Sequence, residues 1–207
     1  MDNLDNINEL VDVFFKKLNR AHFLENENQE LAEYDSPLPV GFGQTISQPT
    51  LVLQMTKLLD LAKDQRVLEI GTGTGYQTGF LAEFAADVYT VERIKELSLK
   101  AQVRLVELGY KNIKFKIGDG SEGWLEYAPY DRIIVTAGAG KLPKPLIEQL
   151  KPGGKMVIPV GEKGVQDLLL IQKDEDGNLI NESNGKVVFV ELKGDYGWGV
   201  DNKNVNS

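Results

Sequence analysis

The feature that most restricts the fold is an alternation. Five short runs rich in β-branched, aromatic and aliphatic residues, RVLEI (66–70), VYTVE (88–92), IKFKI (113–117), DRIIV (131–135) and KMVIPV (155–160), are interleaved with segments of helical character. The helical segments are YQTGFLAEFAA (76–86), IKELSLKAQVRLVELG (94–109), ended by Gly109, and the short LPKPLIEQL (142–150), broken by KPGG. Strand and helix taken in turn predict an α/β fold with a doubly wound, mostly parallel, Rossmann-like sheet. Two further strands, DLLLIQ (167–172) and KVVFVEL (186–192), flank KDEDGNLINESNG and are expected to add an antiparallel hairpin at one sheet edge, giving seven strands in all.

Ahead of this core the spacing of Leu4, Ile7, Leu10, Val11, Phe14, Phe15 and Leu18 predicts a helix over 4–18 with one apolar stripe. The segment SQPTLVLQMTKLLDLA (47–62) reads as a second helix, with Ser47 as its N-cap and Pro49 in its first turn. Between the two lies DSPLPVGFGQTISQP (35–49), too apolar for a plain linker and too punctuated by proline and glycine for a strand. The 207 residues suit one domain, 1–207. Residues 1–62 form an N-terminal helical and loop extension, 63–193 the core, and 194–207 a Gly- and Asn-rich tail expected to be mobile, from which Trp198 can dock.

Composition closes several routes. A formal net charge of −8 argues against general affinity for nucleic acid or an anionic membrane. The absence of cysteine removes disulfides, thiolate chemistry and Cys-based zinc sites, and a single histidine, His22, argues against a hydrolase triad or a histidine-rich metal centre. No metal site is predicted. The start MDNLDNINEL lacks the basic and apolar regions of a signal peptide, and no apolar run approaches the roughly 18 residues of a membrane helix. A soluble, cytoplasmic protein is expected.

The turn VLEIGTGTGY sets Gly71, Thr72, Gly73 and Gly75 between the first core strand and its helix. Glycine lets backbone approach a ligand closely, and the helix start offers free N–H groups. Two acidic positions sharpen the pattern. Glu92 ends the second strand, where a carboxylate can accept both hydroxyls of a ribose. Asp119 in GDG follows the third strand and can accept from an adenine amino group, with Gly120 letting the base lie against the backbone. A dinucleotide site would show G-x-G-x-x-G; here the third glycine comes one residue early. That spacing suits ribose and adenine without a pyrophosphate, which is S-adenosylmethionine.

PLPVGFGQTISQP, VLEIGTGTGYQTGFLA, VYTVERI, GDGSEGW, PYDRIIVTA and LKPGGKMVIPVG together resemble the protein-L-isoaspartate O-methyltransferase family, in order from about Leu18 to Leu192. LNRAHFL resembles that family's Val-Pro-Arg-x-x-Phe-Val segment, with Arg20 and Phe23 in place. The resemblance implies a class I S-adenosylmethionine-dependent enzyme that methylates the α-carboxyl of L-isoaspartyl residues in damaged proteins and peptides, leaving S-adenosylhomocysteine; apart from that resemblance, a monomer is expected. It implies that Glu92 holds the ribose, Asp119 and Gly120 the adenine, and Gly71 with Gly73 the amino-acid portion. It places Ser47 beside the reacting carboxyl, with Gln44, Thr45 and Ile46 shaping the pocket. The chain departs from the family pattern at AGAGKLP (137–143), where Ala-Ala-Pro is common, and at Glu191, where the pattern has proline.

The reaction so implied needs no histidine. A carboxyl with an ordinary pKa of about 4 is already ionised at neutral pH and requires alignment rather than a base. Its attack on a sulfonium methyl destroys one negative and one positive charge, so a dry pocket favours it. Leu38, Val40, Phe42 and Ile46 are expected to exclude water over the methyl, and the Ser47 hydroxyl to hold one carboxylate oxygen. Two other readings stand beside this one. One is a methyltransferase of the same build acting on another peptide carboxylate; the other is a cofactor-binding module without catalysis. An NAD-linked dehydrogenase shares the fold but not the glycine spacing.

Overall fold

The computed structural model describes residues 7–198. Its centre is a seven-stranded sheet built from β3 (Arg66–Ile70), β4 (Asp87–Glu92), β5 (Ile113–Ile117), β6 (Tyr130–Val135), β7 (Leu150–Glu162), β8 (Val165–Lys173) and β9 (Leu179–Val187), in the order β5-β4-β3-β6-β7-β8-β9. The strands from β5 to β7 run parallel, as the alternation predicted. The last two return antiparallel at the edge. Because β4 lies on one side of β3 and β6 on the other, the chain reverses its winding at β3. A crevice opens there beyond the carboxyl ends of the strands, where ligands of such sheets bind.

The helices are α1 (Ile7–Lys17), α2 (Pro49–Leu59), α3 (Tyr76–Phe84), α4 (Lys95–Glu107) and α5 (Lys144–Gln149). On one side of the sheet the α1 stripe meets α3, with the Phe14 ring edge-on to Phe80 at 5.2 Å and to Phe84 at 5.6 Å. Leu4, expected to begin that stripe, lies outside the described residues. Helix α2 ends earlier than its apolar pattern suggested, because Asp60 turns left-handed at φ +51°. Gly109, at φ +92°, follows α4 as its stop signal required. A second apolar cluster, around Ile133, Val135, Met156 and Leu146, fills the opposite side of the sheet.

Three expectations are corrected. The seventh strand is not KVVFVEL but the polar Leu179–Val187. An edge strand exposed at nearly every position has no apolar face to satisfy, so hydrophobic patterning cannot locate it. Its register is set instead by the turn after β8. There the Asp174 carboxylate accepts from Asn178 N at 2.7 Å, Asp176 N at 3.0 Å and Asn178 Nδ2 at 2.9 Å. The loop before α2, which seemed too punctuated for strands, contains two: β1 (Leu38–Gly41) and β2 (Gln44–Ile46) form a small hairpin, turning through Phe42 at φ +55° and Gly43 at φ +69°. Pro39 and Gly41 lie in β1 and Gly43 in the turn, while Pro37 precedes the hairpin and Pro49 opens α2. Finally, Gly194–Trp198, part of a tail expected to be mobile, folds back onto the body, and Trp198 docks as the sequence allowed, its Nε1 donating to Gly161 O at 2.7 Å. Residues 199–207 lie outside the described residues.

Candidate active site

A cavity opens in the crevice at the winding reversal. Its floor is the glycine turn. Gly71 leaves β3 at φ +96°, and a Cβ there would stand 2.4 Å from Thr136 Oγ1, so only glycine passes. Thr136, at the end of β6, donates its hydroxyl to Gly71 O at 2.7 Å and ties the turn to the neighbouring strand. Gly73, at φ +54°, has open space where a Cβ would point. Gly75 plays a different part: a Cβ would lie 2.9 Å from Leu105 Cδ1, so it seats α3 against α4 rather than facing the cavity.

Glu92, at the end of β4, is 6% exposed. Its Oε2 accepts from Gly73 N and its Oε1 from Ile94 N, both at 2.9 Å. The carboxylate is thereby fixed by backbone, while each oxygen keeps a lone pair for a ligand. Gly120 is buried over Ile70, where a Cβ would come within 2.3 Å of Cγ2. Asp119 is exposed, and its Oδ1 accepts from Ser121 N at 2.8 Å. The cavity thus gathers Gly71, Thr72, Gly73, Glu92 and Gly120, while Gly75 and Asp119 stand behind its lining.

Beneath the turn lies a group that motif spacing did not single out. Glu69 is fully buried, and its Oε2 accepts from Thr78 Oγ1 and Thr90 Oγ1, each at 2.6 Å. Thr90 in turn meets the Thr72 hydroxyl at 2.6 Å. Burial pushes the Glu69 carboxyl up to about 8, outweighing the two hydroxyls that oppose the shift, and the Glu92 charge adds to it. Glu69 is therefore a neutral hydrogen-bonding post at pH 7. Its sequence signal was available: one acid between Leu68 and Ile70 in a strand that is apolar elsewhere beyond Arg66.

The opposite wall comes from the N-terminal extension. Gln44, Thr45, Ile46 and Ser47 all line the cavity. Ser47 is not the helix cap expected from its position. The cap residue of α2 is Gln48, and the N–H of Thr50 donates to Asp35 Oδ1 at 2.9 Å, so an acid across the loop does the capping. The Ser47 carbonyl is held by Arg20, whose buried guanidinium also donates to the carbonyls of Ala32, Tyr34 and Ser36 at 3.3, 2.9 and 2.7 Å. Of the four apolar residues expected over the reacting methyl, Ile46 alone lines this cavity. Leu38, the first residue of the hairpin, is buried in the core, while Val40 and the exposed Phe42 border a neighbouring cleft with Gly73, Thr74 and Leu97.

The rest of the cover comes from the segment around Glu191, where the chain departs from the family pattern. Val190–Leu192, read as strand, and Lys193 after them line the cavity as a strap. Gly138 N donates to Val190 O at 2.7 Å and Leu192 N to Gly138 O at 2.8 Å. A Cβ on Gly194 would lie 2.7 Å from Asp119 Oδ2, so the strap reaches from the Ser47 side to the Asp119 side. The Lys193 hydrogen bond holds the Glu191 carboxyl below its ordinary range.

A parallel sheet wound in this order, with a glycine turn and a ribose-height carboxylate at its reversal and a separate cover above, defines a Rossmann-like methyltransferase. Comparison with known proteins narrows this. The family model for protein-L-isoaspartate(D-aspartate) O-methyltransferase matches residues 5–197. A protein-L-isoaspartate O-methyltransferase of Dictyoglomus turgidum is 55% identical over 182 residues, spanning 88% of this chain and 82% of the relative. That of Geobacter metallireducens is 52% identical over 185 residues, spanning 89% and 86%. A solved protein-L-isoaspartate O-methyltransferase superposes with a TM-score of 0.78 at 28% identity, over 92% of this chain and 67% of its own. A Plasmodium falciparum structure described as a putative member, in complex with S-adenosyl-L-homocysteine, shares the fold with a TM-score of 0.71 at 23% identity, over 91% and 98%. The chain belongs to the protein-L-isoaspartate(D-aspartate) O-methyltransferase family.

Proposed function

We propose that the protein repairs damaged polypeptides by transferring a methyl group from S-adenosylmethionine to the α-carboxyl of L-isoaspartyl residues. The observation that carries this reading is the placement of Ser47. Its hydroxyl is not spent on a helix cap, and it lines one cavity with the glycine turn and Glu92.

The cofactor side suits the nucleoside. Gly73 leaves a cradle that a side chain would fill, and the backbone-fixed Glu92 offers two oxygens to two ribose hydroxyls. Gly71 and Thr72 border the amino-acid end, Gly120 lets a flat base lie on the backbone, and the exposed Asp119, next to Gly120 but outside the cavity lining, is the acceptor for an amino group. When bound, S-adenosylmethionine supplies an electrophilic methyl on a cationic sulfur. The residues of the chain do the rest. Ser47 donates its hydroxyl to one oxygen of the acceptor carboxylate and directs the other toward the methyl. Gln44, Thr45 and Ile46 set the width of the slot, and Arg20 fixes the backbone from which Ser47 projects. No group has to remove a proton, since the acceptor carboxyl is ionised at neutral pH. The loss of both charges along the reaction favours a site from which the hairpin and strap keep water.

The test is labelled methyl transfer to a matched pair of peptides differing only in an isoaspartyl or aspartyl linkage. Transfer to the first alone is expected; equal labelling, or none, sinks the assignment. Ser47→Ala should lower kcat by roughly 10- to 100-fold, the worth of one hydrogen bond to a charged group, about 1.5–3 kcal/mol. Affinity for S-adenosylhomocysteine should stay within about twofold.

A further inference from the structure

The two segments in which the chain departs from its family's pattern are bonded to each other. Trp198 lies on the glycine run 137–140: a Cβ on Gly138 would stand 2.9 Å from Trp198 Cη2, and one on Gly140 would stand 2.9 Å from Gly197 O. Gly140 N donates to Tyr196 O at 2.8 Å, and Trp198 Nε1 to Gly161 O at 2.7 Å. From this anchorage Trp198 N donates to Glu191 Oε1 at 3.1 Å, while Lys193 Nζ binds the other oxygen, Oε2. The Glu191 side chain is 23% exposed and that of Lys193 is 53% exposed, and both residues line the cavity that holds Ser47.

This arrangement sets an electrostatic problem for the reaction proposed above. An anionic acceptor has to enter a chamber whose wall already carries the Glu191 carboxylate. Like charges sharing a partly dry site repel strongly. Glu92 is satisfied by backbone amides on the far side, and Arg93 is exposed at the rim. The cation in contact with Glu191 is Lys193, with Lys163 contributing from further off. Lys193 is the more exposed side chain of the pair, so it is the member placed to meet an arriving peptide.

We propose that Lys193, held in place by Glu191, is a specificity-determining residue for the acceptor peptide: it offsets Glu191 so that the anionic carboxyl can enter, and it favours peptides with an acidic residue beside the isoaspartate over those with a basic one. This rests on the assigned acceptor chemistry. It is tested with two isoaspartyl peptides that carry Glu or Lys next to the modified residue. Binding to protein saturated with S-adenosylhomocysteine is measured by calorimetry, alongside KM and kcat in methyl transfer.

Wild type should bind the Glu-flanked peptide several-fold more tightly. Lys193→Met should weaken both peptides, the Glu-flanked one by about tenfold, and abolish or reverse the preference, with the effect on KM rather than kcat. Adding Glu191→Gln, whose amide oxygen still accepts from Trp198 N, should restore both affinities to within about threefold of wild type with no preference left. Unchanged binding in Lys193→Met, or a double variant as weak as the single one, overturns the inference. If wild type binds with the stated preference but transfers no methyl, the assigned reaction falls and the charge selection stands. If it binds neither peptide, both fall.

Discussion

The two sides of the cavity are built by different means. On the cofactor side, every contributing residue sits within a few positions of a strand end. Its geometry is fixed by backbone: Gly73 N and Ile94 N on Glu92, and Gly71 O on Thr136. On the acceptor side, the hairpin and the strap belong to no central strand. They are held by side chains reaching far along the sequence: Arg20 to Ser47 O, Asp35 to Thr50 N, and Trp198 to Gly161 O. A sheet supplies the same nucleoside cradle to any chemistry placed above it, whereas the cover defines which acceptor is reached. The difference teaches that binding of cofactor and selection of acceptor can fail separately.

The sharpest way to break the comparison is Arg20→Met. Arg20 is 4% exposed, and the loss of its guanidinium leaves four carbonyls without their shared donor. Stability should fall by about 3 kcal/mol or more, as for other buried polar groups left unpaired. In conditions where the variant stays folded, kcat/KM for an isoaspartyl peptide should drop by roughly 100-fold or more while S-adenosylhomocysteine still binds. Equal loss of both functions in denaturant titration and calorimetry would show that the two sides are one unit. The converse substitution, Glu92→Gln, keeps one acceptor oxygen but replaces the other with a donor facing a backbone N–H. Cofactor affinity should fall by roughly 10- to 100-fold, about 1.5–3 kcal/mol, with a smaller effect on peptide KM at saturating cofactor.

The same division explains what could be read from the sequence. The parallel sheet, its order of strand and helix, the glycine turn and Glu92 were legible because each follows a local rule: strand period, helix stop, or the conformational freedom of Gly71 and Gly73. Ser47 and its neighbours were placed at the pocket through a family likeness, and the structure brings them to the cavity that the glycines line. Its capping role was misread because the cap comes from Asp35, which no spacing rule connects to Thr50. Val190 and Leu192 looked like strand because a chain crossing a half-buried cavity also alternates apolar and polar residues. The true edge strand, Leu179–Val187, carries almost no apolar signal because nothing covers it. Phe42 was assigned to the cover from its hydrophobicity, yet the hairpin turn presents it outward at 56% exposure.

The finest distinction concerns what supports the cradle from below, and pH resolves it. Glu69 has its pKa raised to about 8 from an ordinary value of 4.5, so between those values the folded protein retains a proton that the unfolded chain has released. Stability from this group is therefore greatest at the acidic end of the window and falls as pH rises from about 5 to 8, with a limiting slope of about 1.4 kcal/mol per pH unit for one proton. Glu69→Gln keeps an acceptor for Thr78 and Thr90 but cannot ionise, so its melting temperature should be flatter across that range than that of wild type. The difference between pH 6 and pH 8 should be about 2 kcal/mol or less, a shift of several degrees for a domain of this size. Because Thr90 links Glu69 to Thr72 on the glycine turn, cofactor affinity in wild type should also weaken toward pH 9 and in Glu69→Gln should not. Parallel pH profiles for the two proteins would mean that the cradle is held by its backbone alone, and that the buried carboxyl contributes only to packing.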